Sequence, residues 1–320
     1  MTSKAARISL VFICIGLLSL VLLMGGVKLW KMGHENKPDQ EMDTTRKLAE
    51  GMDPAELAEK LDQSMIHIPA GEFIQGSVFL SDRKAASDEM PQRKVHLDTF
   101  EIDTYEVTNA QYQRYVLTNG AQPPRYWIGN DYPSGTADYP VVGISWEEAR
   151  VYCEWAGKRL PTEAEWEKAC RGPQGNTYPW GKDWKPEYAN LGLEQADNWP
   201  LRIDEGWQLL MATRSPEIQP SLKPVGSYSA DASVYGVFDM AGNASEWVED
   251  WYNWSGYADL PQRNPVSEGP PWNHVIRGGT WFDRAGQEVY ASDLSRCAKR
   301  NSSHSADDPR VGFRCAKSVP

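Results

Sequence analysis

The sequence predicts an α+β domain with much irregular chain, on three observations. Segments 65–77 and 94–105 alternate apolar and polar residues, which is the period of half-buried strands. Three capping boxes, each a Ser or Thr three residues before a Glu or Gln, predict three helices. Between residues 172 and 206 the periodicity fades into turn-rich sequence, which in a compact domain often marks a binding surface. The capping pairs are Thr108/Gln111, Ser145/Glu148 and Thr162/Glu165.

The N-terminal part of the chain predicts a membrane anchor followed by a polar stalk. The apolar run 8–27 is about long enough to cross the hydrocarbon core as a helix. A cleaved signal peptide is the alternative, but the run exceeds a typical h-region and no clear A-x-A site follows. In the stalk, Asp53 before Pro54 predicts the start of a short helix. The expected domains are an anchor at 1–31, a stalk at 32–64 and a folded domain at 65–320.

Charge and cysteine content limit the classes of function. The chain has 320 residues, with 33 Lys and Arg against 44 Asp and Glu, a formal net charge of −11. This acidic balance argues against non-specific nucleic-acid binding, so no nucleic-acid partner is expected. Cys14 lies in the apolar run, and the other four cysteines contain no CxxC pair. These four suit either free buried thiols in a reducing compartment or two disulfides in an oxidising one.

The stretch 235–252 is the most informative part of the chain. It reads YGVFDMAGNASEWVEDWY and surrounds a Gly242-Asn243 turn with aromatic rings and carboxylates. A carboxylate before such a turn, carbonyl oxygens within it and a carboxylate after it can form an oxygen cage for Ca²⁺. The alternative interpretation is an aromatic core strand and turn with solvated acids.

Blocks of sequence on both sides of this stretch point to a family. Upstream are IPAGEFIQGS, TFEIDTYEVTNAQYQRYV and PVVGISWEEARVYCEWAGKRLPTEAEWEKACRG, and downstream are VIRGGTWF and VGFRCAK. In this order, over residues 65–317, they closely resemble the formylglycine-generating enzyme, or sulfatase-modifying factor, family. The resemblance implies a C-type-lectin-like fold of short twisted strands, a few helices and much irregular structure. It is specific to the family and not to one activity within it.

The resemblance implies two disulfides and two calcium sites. The disulfides are Cys153–Cys315 and Cys170–Cys297. The first calcium site takes the side chains of Asp239 and Glu246 and the carbonyl oxygens of Met240, Gly242 and Ala244. The second takes the side chains of Asn190 and Glu205, with Asp204 competing for the latter role, and the carbonyl oxygens of Leu191 and Trp207. Such hard oxygen ligands suit Ca²⁺ better than a transition metal.

The copper-binding pair of the family is missing. Members that form formylglycine hold copper(I) with two cysteines after the RGGS segment, whereas RGGT is followed here by no cysteine before Cys297. Alignment places Asp283 at the first copper position and Ser292 at the second. Because Cu(I) needs soft thiolates, copper-dependent formylglycine formation is not expected. About four extra residues lie between the two anchors of this alignment, so the cleft is remodelled. Ser245 also replaces the usual GNxWEW tryptophan. The candidate residues of the cleft are Arg277, Thr280, Trp281, Asp283 and Ser292.

Two functions follow as hypotheses. The leading one is non-catalytic: a calcium-stabilised binding or assembly module held at the membrane, periplasmic or extracellular, in a membrane complex with a protein partner. The cleft between Trp272 and Arg310 would be its recognition surface. The alternative is an iron- or copper-dependent oxidoreductase acting on a peptide or small periplasmic substrate. Iron would need histidines and carboxylates, for which the candidates are His274 and His304 with Asp283 or Asp293.

Overall fold

Short strands, helices and long irregular connections make up the protein, as the α+β prediction requires. The computed structural model describes residues 52–79, 82, 84–191, 222–281, 288–305 and 307–319. The helices are α1 Pro54–Asp62, α2 Asn109–Asn119, α3 Trp146–Trp155, α4 Glu163–Arg171 and α5 Glu288–Leu294. The strands are β1 Met65–Ile68, β2 Gly71–Gln75, β3 Arg93–Leu97, β4 Phe100–Asp103, β5 Ser245–Trp251, β6 His274–Arg277, β7 Asn301–Ser303, β8 Val311–Phe313 and β9 Ala316–Ser318.

The described strands form three small sheets. Their orders are β1-β4-β9, β2-β3 and β7-β6-β5-β8, and within the last sheet β5 and β8 run parallel. The alternating segment 65–77 contains two strands, but β1 pairs with β4 and β2 pairs with β3. This segment is therefore a strand, a turn and a second strand in another sheet, and not a hairpin. The last strand, β9, returns to the first sheet beside β4.

The helix starts follow the predicted capping residues. Both halves of the capping box form at α2, α3 and α4, so each hydroxyl accepts from the third backbone amide of its helix. Asp53 accepts from the amide of Ala55 at the start of α1. This helix packs against α2 and buries Leu57 and Leu61, so it belongs to the folded unit. At the end of α2, Gly120 adopts the left-handed conformation that favours glycine, with φ of 64°.

Two clusters of buried side chains form most of the core. The first packs rings from α2, α3 and the last sheet, among them Tyr112, Tyr152 and Phe313. The second surrounds Trp166 of α4 and reaches the strands of the first two sheets. Helix α4 is buried along its whole length, including its charged residues, which must therefore pair inside the protein.

Both predicted disulfides are present. Cys153 on α3 is joined to Cys315 just before β9, with 5.7 Å between their Cα atoms. Cys170 on α4 is joined to Cys297, with 5.6 Å between their Cα atoms. The bridges close loops spanning 162 and 127 residues, so they tie the early helices to the C-terminal segments.

The described residues all belong to one compact unit, Thr44–Pro320. The predicted membrane helix at 8–27 lies outside the residues that the structure describes. Among those that it does describe, no helix has the length and apolar character needed to cross a membrane.

Candidate functional site

The turn before β5 brings together segments of both predicted calcium sites. The backbone amide of Asn243 donates to the carbonyl of Asn190 at 2.8 Å, and the Asn190 side chain donates to that of Asn243 at 3.0 Å. A Cβ on Gly242 would stand 2.4 Å from the same Asn190 carbonyl, so only glycine permits this approach. Asn243 itself is left-handed, with φ of 65°. The two segments thus lie side by side.

Glu246, predicted as a calcium ligand, forms a buried ion pair. Its carboxylate accepts from Nε and from the second guanidinium nitrogen of Arg314, each at 2.6 Å. The indole of Trp166 donates to the same carboxylate at 2.8 Å. Charge-assisted bidentate contacts of this kind are among the stronger hydrogen bonds in proteins. Glu246 therefore holds β5 to α4 and to the segment after β8.

Three further buried carboxylates stand near this pair: Glu106, Asp231 and Asp239. Glu106 accepts from the backbone amide of Ala244 at 2.7 Å, and Asp239 accepts from that of Gly226 at 2.7 Å. One oxygen of Asp231 is buried without a hydrogen-bond partner. Burial raises the pKa of Asp239 to about 6. Burial, followed by repulsion from Asp239, raises the pKa of both Glu106 and Asp231 well above the usual range.

In their ionised form these carboxyl groups exceed the positive charge beside them, and an oxygen-binding cation can balance that excess. Among the residues that the structure describes, Arg314 supplies the positive charge next to these four carboxylates. Over the same part of the chain, no three His, Cys, Asp or Glu side chains surround a common metal position. Met240, Ala244 and Leu191 are buried beside the turn. Asp204, Glu205 and Trp207 lie outside the described residues, and both calcium sites stay predictions.

The predicted cleft contains a cavity of about 170 Å³ at the end of the last sheet. It lies where the loop after β6 passes β7 and the start of β8. Thr280, a predicted cleft residue, lines it, and its hydroxyl oxygen is buried without a hydrogen-bond partner. Ser245 lines it too, and its hydroxyl lies 3.2 Å from the carbonyl oxygen of Gly278.

Arg277, Trp281 and Ser292, the other predicted cleft residues that the structure describes, have structural contacts away from this cavity. Arg277 is inaccessible to solvent, pairs with Glu167 at 2.9 Å and donates to the carbonyl of Cys297 at 2.7 Å. Trp281 is buried in the first core cluster. The Ser292 hydroxyl accepts from the Lys84 ammonium, and its carbonyl accepts from a tyrosine hydroxyl. Asp283 lies outside the described residues.

His274, a candidate iron ligand, is held between two indole rings. Its ring centroid lies 3.7 Å from that of Trp146 and 3.7 Å from that of Trp251. Burial lowers the pKa of His274 to about 4, although a hydrogen bond to the backbone of Asp250 acts in the opposite direction. The neutral imidazole is therefore part of a stacked core. His304 is exposed on the segment after β7.

Sequence reasoning missed the charged residues that organise these sites. Arg314 and Glu106 lie within the VGFRCAK and TYEVTNAQY blocks, but no local signal marked their charges as buried. Glu163 and Glu167 of α4 also pair with buried arginines, and the capping box of this helix gives no indication of that role. Arg300 donates to Glu163 at 2.7 Å from its Nε atom. Only the close repetition of Glu along a helix that also carries Trp166 hinted at an inward-facing charge.

The sheets, the bridge from α3 to the segment before β9 and the loop after β6 define a domain of the formylglycine-generating enzyme type. The chain belongs to the sulfatase-modifying factor family: the model of the sulfatase-modifying factor enzyme 1-like domain matches residues 52–319. This match covers all of the described residues and confirms the family that the sequence blocks indicated.

Individual relatives agree with this assignment. A serine/threonine-protein kinase pkn1 of Chlamydia caviae is 33% identical over 276 residues, which cover 80% of this chain but only 38% of that relative's length. A formylglycine-generating enzyme of Streptomyces coelicolor is 28% identical over 295 residues, covering 79% of this chain and 89% of the enzyme. The structure of PvdO from Pseudomonas aeruginosa superimposes with a TM-score of 0.61 at 23% identity, over 81% of this chain and 95% of PvdO. The last similarity supports the fold alone.

Proposed function

We propose that this chain is a non-catalytic binding or assembly module of the sulfatase-modifying factor family. One observation carries the proposal: the four cysteines of the folded domain are joined in two disulfides. The sequence between Gly279 and Cys297 contains no other cysteine. Thiolates are the ligands that Cu(I) needs, and the carboxylate or hydroxyl of Asp283 and Ser292 is a poor substitute. This chain therefore lacks the pair of thiolate ligands with which the family binds copper.

Calcium would stabilise the module. The carboxylate excess around Asp239 and the unpartnered oxygen of Asp231 support a bound cation, since Ca²⁺ takes oxygen ligands and offsets such repulsion. Asp239 and Glu246 with the carbonyls of Met240, Gly242 and Ala244 would form the first site, in which Glu246 also pairs with Arg314. Asn190 and Leu191, with Glu205 and Trp207, would form the second.

The module would stand outside the cytoplasm on an N-terminal membrane anchor. The apolar run at 8–27 and the two disulfides support this topology, because structural disulfides persist in oxidising compartments. The remodelled cleft would bind a protein partner, so that the chain acts within a membrane complex.

A metal-dependent oxidoreductase is the second candidate function. The similarity to the formylglycine-generating enzyme of Streptomyces coelicolor favours it. Metal content separates the two. The full chain, purified in detergent, would be analysed for calcium, iron and copper by mass spectrometry. Calcium alone supports the module, and stoichiometric iron or copper overturns it.

A turnover assay completes the test. The same preparation would be incubated with copper, oxygen and a sulfatase-type Cys-x-Pro-x-Arg peptide. We expect no loss of the peptide thiol and no gain of an aldehyde by mass spectrometry. Turnover above a control without protein would restore the enzyme hypothesis.

A further inference from the structure

Asn243, in the turn before β5, uses every hydrogen-bonding group of its side chain. Its carboxamide oxygen accepts from the Asn190 side chain at 3.0 Å and from the backbone amide of Lys223 at 3.0 Å. Its NH2 group donates to the Glu106 carboxylate at 2.7 Å and to the carbonyl of Lys223 at 3.3 Å. An asparagine side chain offers two donors and two acceptor positions, so none is left over. Asn243 thus binds three segments that are distant from one another in sequence.

The backbone of Asn243 connects the same turn to the cleft loop. Its carbonyl accepts from the amide of Trp281 at 2.8 Å, and Trp281 directly follows Thr280, which lines the cavity. Asn243 is buried and has a left-handed φ of 65°, a conformation that asparagine tolerates and most other residues do not. The turn and the cleft loop therefore meet at one buried residue, and the contacts around it must maintain its backbone conformation.

The peptide bond before Asn243 relates these contacts to the first predicted calcium site. This bond is trans, so the carbonyl of Gly242 and the N–H of Asn243 lie in one plane and point in opposite directions. The N–H donates to the carbonyl of Asn190 at 2.8 Å. The carbonyl oxygen of Gly242, which is predicted as a calcium ligand, therefore points away from Asn190. When this oxygen is held by a cation, the N–H on the opposite edge of the peptide group is fixed as well.

The peptide bond after Ala244 has the same arrangement toward the cleft. The N–H of Ser245 donates to the carbonyl of Arg310 at 2.9 Å, so the carbonyl of Ala244, another predicted ligand, points away from Arg310. Ser245 and Arg310 both line the cavity. Two of the predicted carbonyl ligands thus belong to peptide groups that also position a neighbouring segment, and one of these segments is a wall of the cleft.

We propose that calcium binding at this turn controls the arrangement of the cleft, through the peptide groups on either side of Asn243 and through the side chain of that residue. The arrangement in which the two carbonyls can bind the ion is the one in which their peptide groups hold Asn190 and Arg310. A ligand that binds one arrangement better than another shifts the population toward it.

This inference deepens the proposed function, in which calcium stabilises the module and the cleft is its recognition surface, and rests on it. A partner that recognises the calcium-bound arrangement of the cleft binds more tightly in calcium. By linkage, the same partner tightens the binding of calcium by the same factor.

Hydrogen exchange of single backbone amides tests this coupling in the full chain in detergent, with calcium and with EDTA. Mass spectrometry with electron-transfer fragmentation would give the exchange rates of three amides, those of Ser245, Trp281 and Lys223. We expect calcium to slow exchange at all three by about fivefold or more, which is the lower end of typical coupling between two sites. The sheet of β2 and β3 shares no strand with the site, so its amides are the control for general stabilisation and should slow much less.

Asn243→Gly separates the side-chain contacts from the backbone contacts, because glycine keeps the left-handed conformation and loses only the side chain. The Lys223 amide donates to the side-chain oxygen and should lose its calcium-dependent protection, whereas the Trp281 amide donates to the backbone carbonyl and should keep it. A merely structural role of Asn243 would change both amides alike. Asn264→Gly is the matched control: Asn264 is also left-handed, with φ of 44°, and its side chain donates to Asp98 at the surface. This variant should change neither rate.

Bound calcium without slower exchange at Ser245 and Trp281 overturns the inference, and so does equal slowing of these amides and of the β2–β3 sheet. Should Asn243→Gly fail to fold, as judged by circular dichroism, Asp239→Ala is the second variant. In it, calcium should no longer slow Ser245 and Trp281, and persistent slowing overturns the inference. Failure of the proposed function is distinguishable, since stoichiometric iron or copper overturns the module whatever the exchange rates are. A chain that binds no calcium overturns both the proposed role of calcium and this inference.

Discussion

Arg314 and Glu246 form a bidentate ion pair in the interior of the protein, with two nitrogen–oxygen distances of 2.6 Å. Both side chains are inaccessible to solvent. The remaining nitrogen contacts of Arg314 go to backbone carbonyls of residues 103, 104 and 238. The pair therefore connects the N-terminal sheet, the turn before β5 and the C-terminal segment, and it stands at the centre of the predicted calcium region.

Glu246→Gln should destabilise the domain strongly even without calcium. Removing one partner of a buried pair leaves an uncompensated charge, which costs about 3–5 kcal/mol. The free energy of unfolding would be measured by urea titration in EDTA. Glu147→Gln, which removes an exposed partner of Arg150, is the control and should cost under about 1 kcal/mol. Equal stability of Glu246→Gln and the parent in EDTA would show that Glu246 acts through calcium alone.

Asp239→Ala should lose one calcium ion and its stabilising effect. Once this carboxylate is gone, the site keeps the turn carbonyls and Glu246, whose charge is already paired with Arg314, and these cannot balance a divalent charge. We expect one ion fewer per chain by mass spectrometry and a lower melting temperature in calcium, with a smaller difference between variant and parent in EDTA. Asp98→Ala removes an exposed carboxylate and is the control. Full calcium content in Asp239→Ala would place the site elsewhere.

The helices were predictable because their signals are local. A capping box needs only a hydroxyl and a Glu or Gln three residues apart, and all three boxes form. Strand partners are not local. Strand β4 pairs with β9, which follows it by more than 200 residues. Alternation of apolar and polar residues indicates which face of a strand is buried, but it does not indicate which strand pairs with it. The disulfide pairing came from the family resemblance and not from the spacing of the cysteines.

The site was less predictable than the fold. Charged residues are ordinarily exposed, and the repeated Glu of α4 does not identify Arg277 as the residue that Glu167 meets in the core. The cavity beside Thr280 exists only through packing of the loop after β6 against β7 and β8. The family blocks marked Thr280 and Arg277 alike as cleft residues, but of the two only Thr280 lines the cavity.

Loss of the Cys153–Cys315 bridge should destabilise the domain more than loss of any capping residue. The bridge spans 162 residues, and a loop of this size corresponds to about 4–5 kcal/mol in the chain-entropy model. The double variant Cys153→Ser/Cys315→Ser would be compared with Thr162→Ala, which removes one cap at about 1 kcal/mol. Urea titration of both variants gives the measurement.

Peptide mapping without reductant supplies the control for this experiment. In the parent it should recover Cys153 linked to Cys315 and Cys170 linked to Cys297. Recovery of Cys153 as a free thiol, or linked to Cys170, would contradict the pairing. A double variant as stable as Thr162→Ala would contradict the predicted energetic role.

His274 should make the domain less stable in mild acid. Burial between Trp146 and Trp251 lowers the pKa of this imidazole to about 4, from 6.5 in an unfolded chain. Between these values the unfolded chain binds a proton on this imidazole that the folded protein does not, so the contribution of His274 to the free energy of unfolding falls as the pH drops from 6.5 toward 4. The raised pKa values of buried carboxyl groups such as Asp239 and Asp250 act in the opposite direction on the whole domain. The negative charge of the nearby Glu147 raises the pKa of His274 and so partly offsets the effect of burial. The full shift corresponds to about 3 kcal/mol, and solvent screening at this partly exposed ring reduces the expected loss to on the order of 2 kcal/mol.

The variant His274→Phe isolates this contribution. A phenyl ring keeps a flat group between the two indoles but cannot take up a proton, so the variant should lose less stability than the parent between pH 6.5 and 4. Its stability at neutral pH should be lower, because it loses the hydrogen bond to the backbone of Asp250. Urea titrations followed by tryptophan fluorescence at several pH values give the two slopes. His67→Phe, at an exposed position of β1, should keep the slope of the parent. If His274→Phe keeps that slope as well, the acid sensitivity arises from other groups.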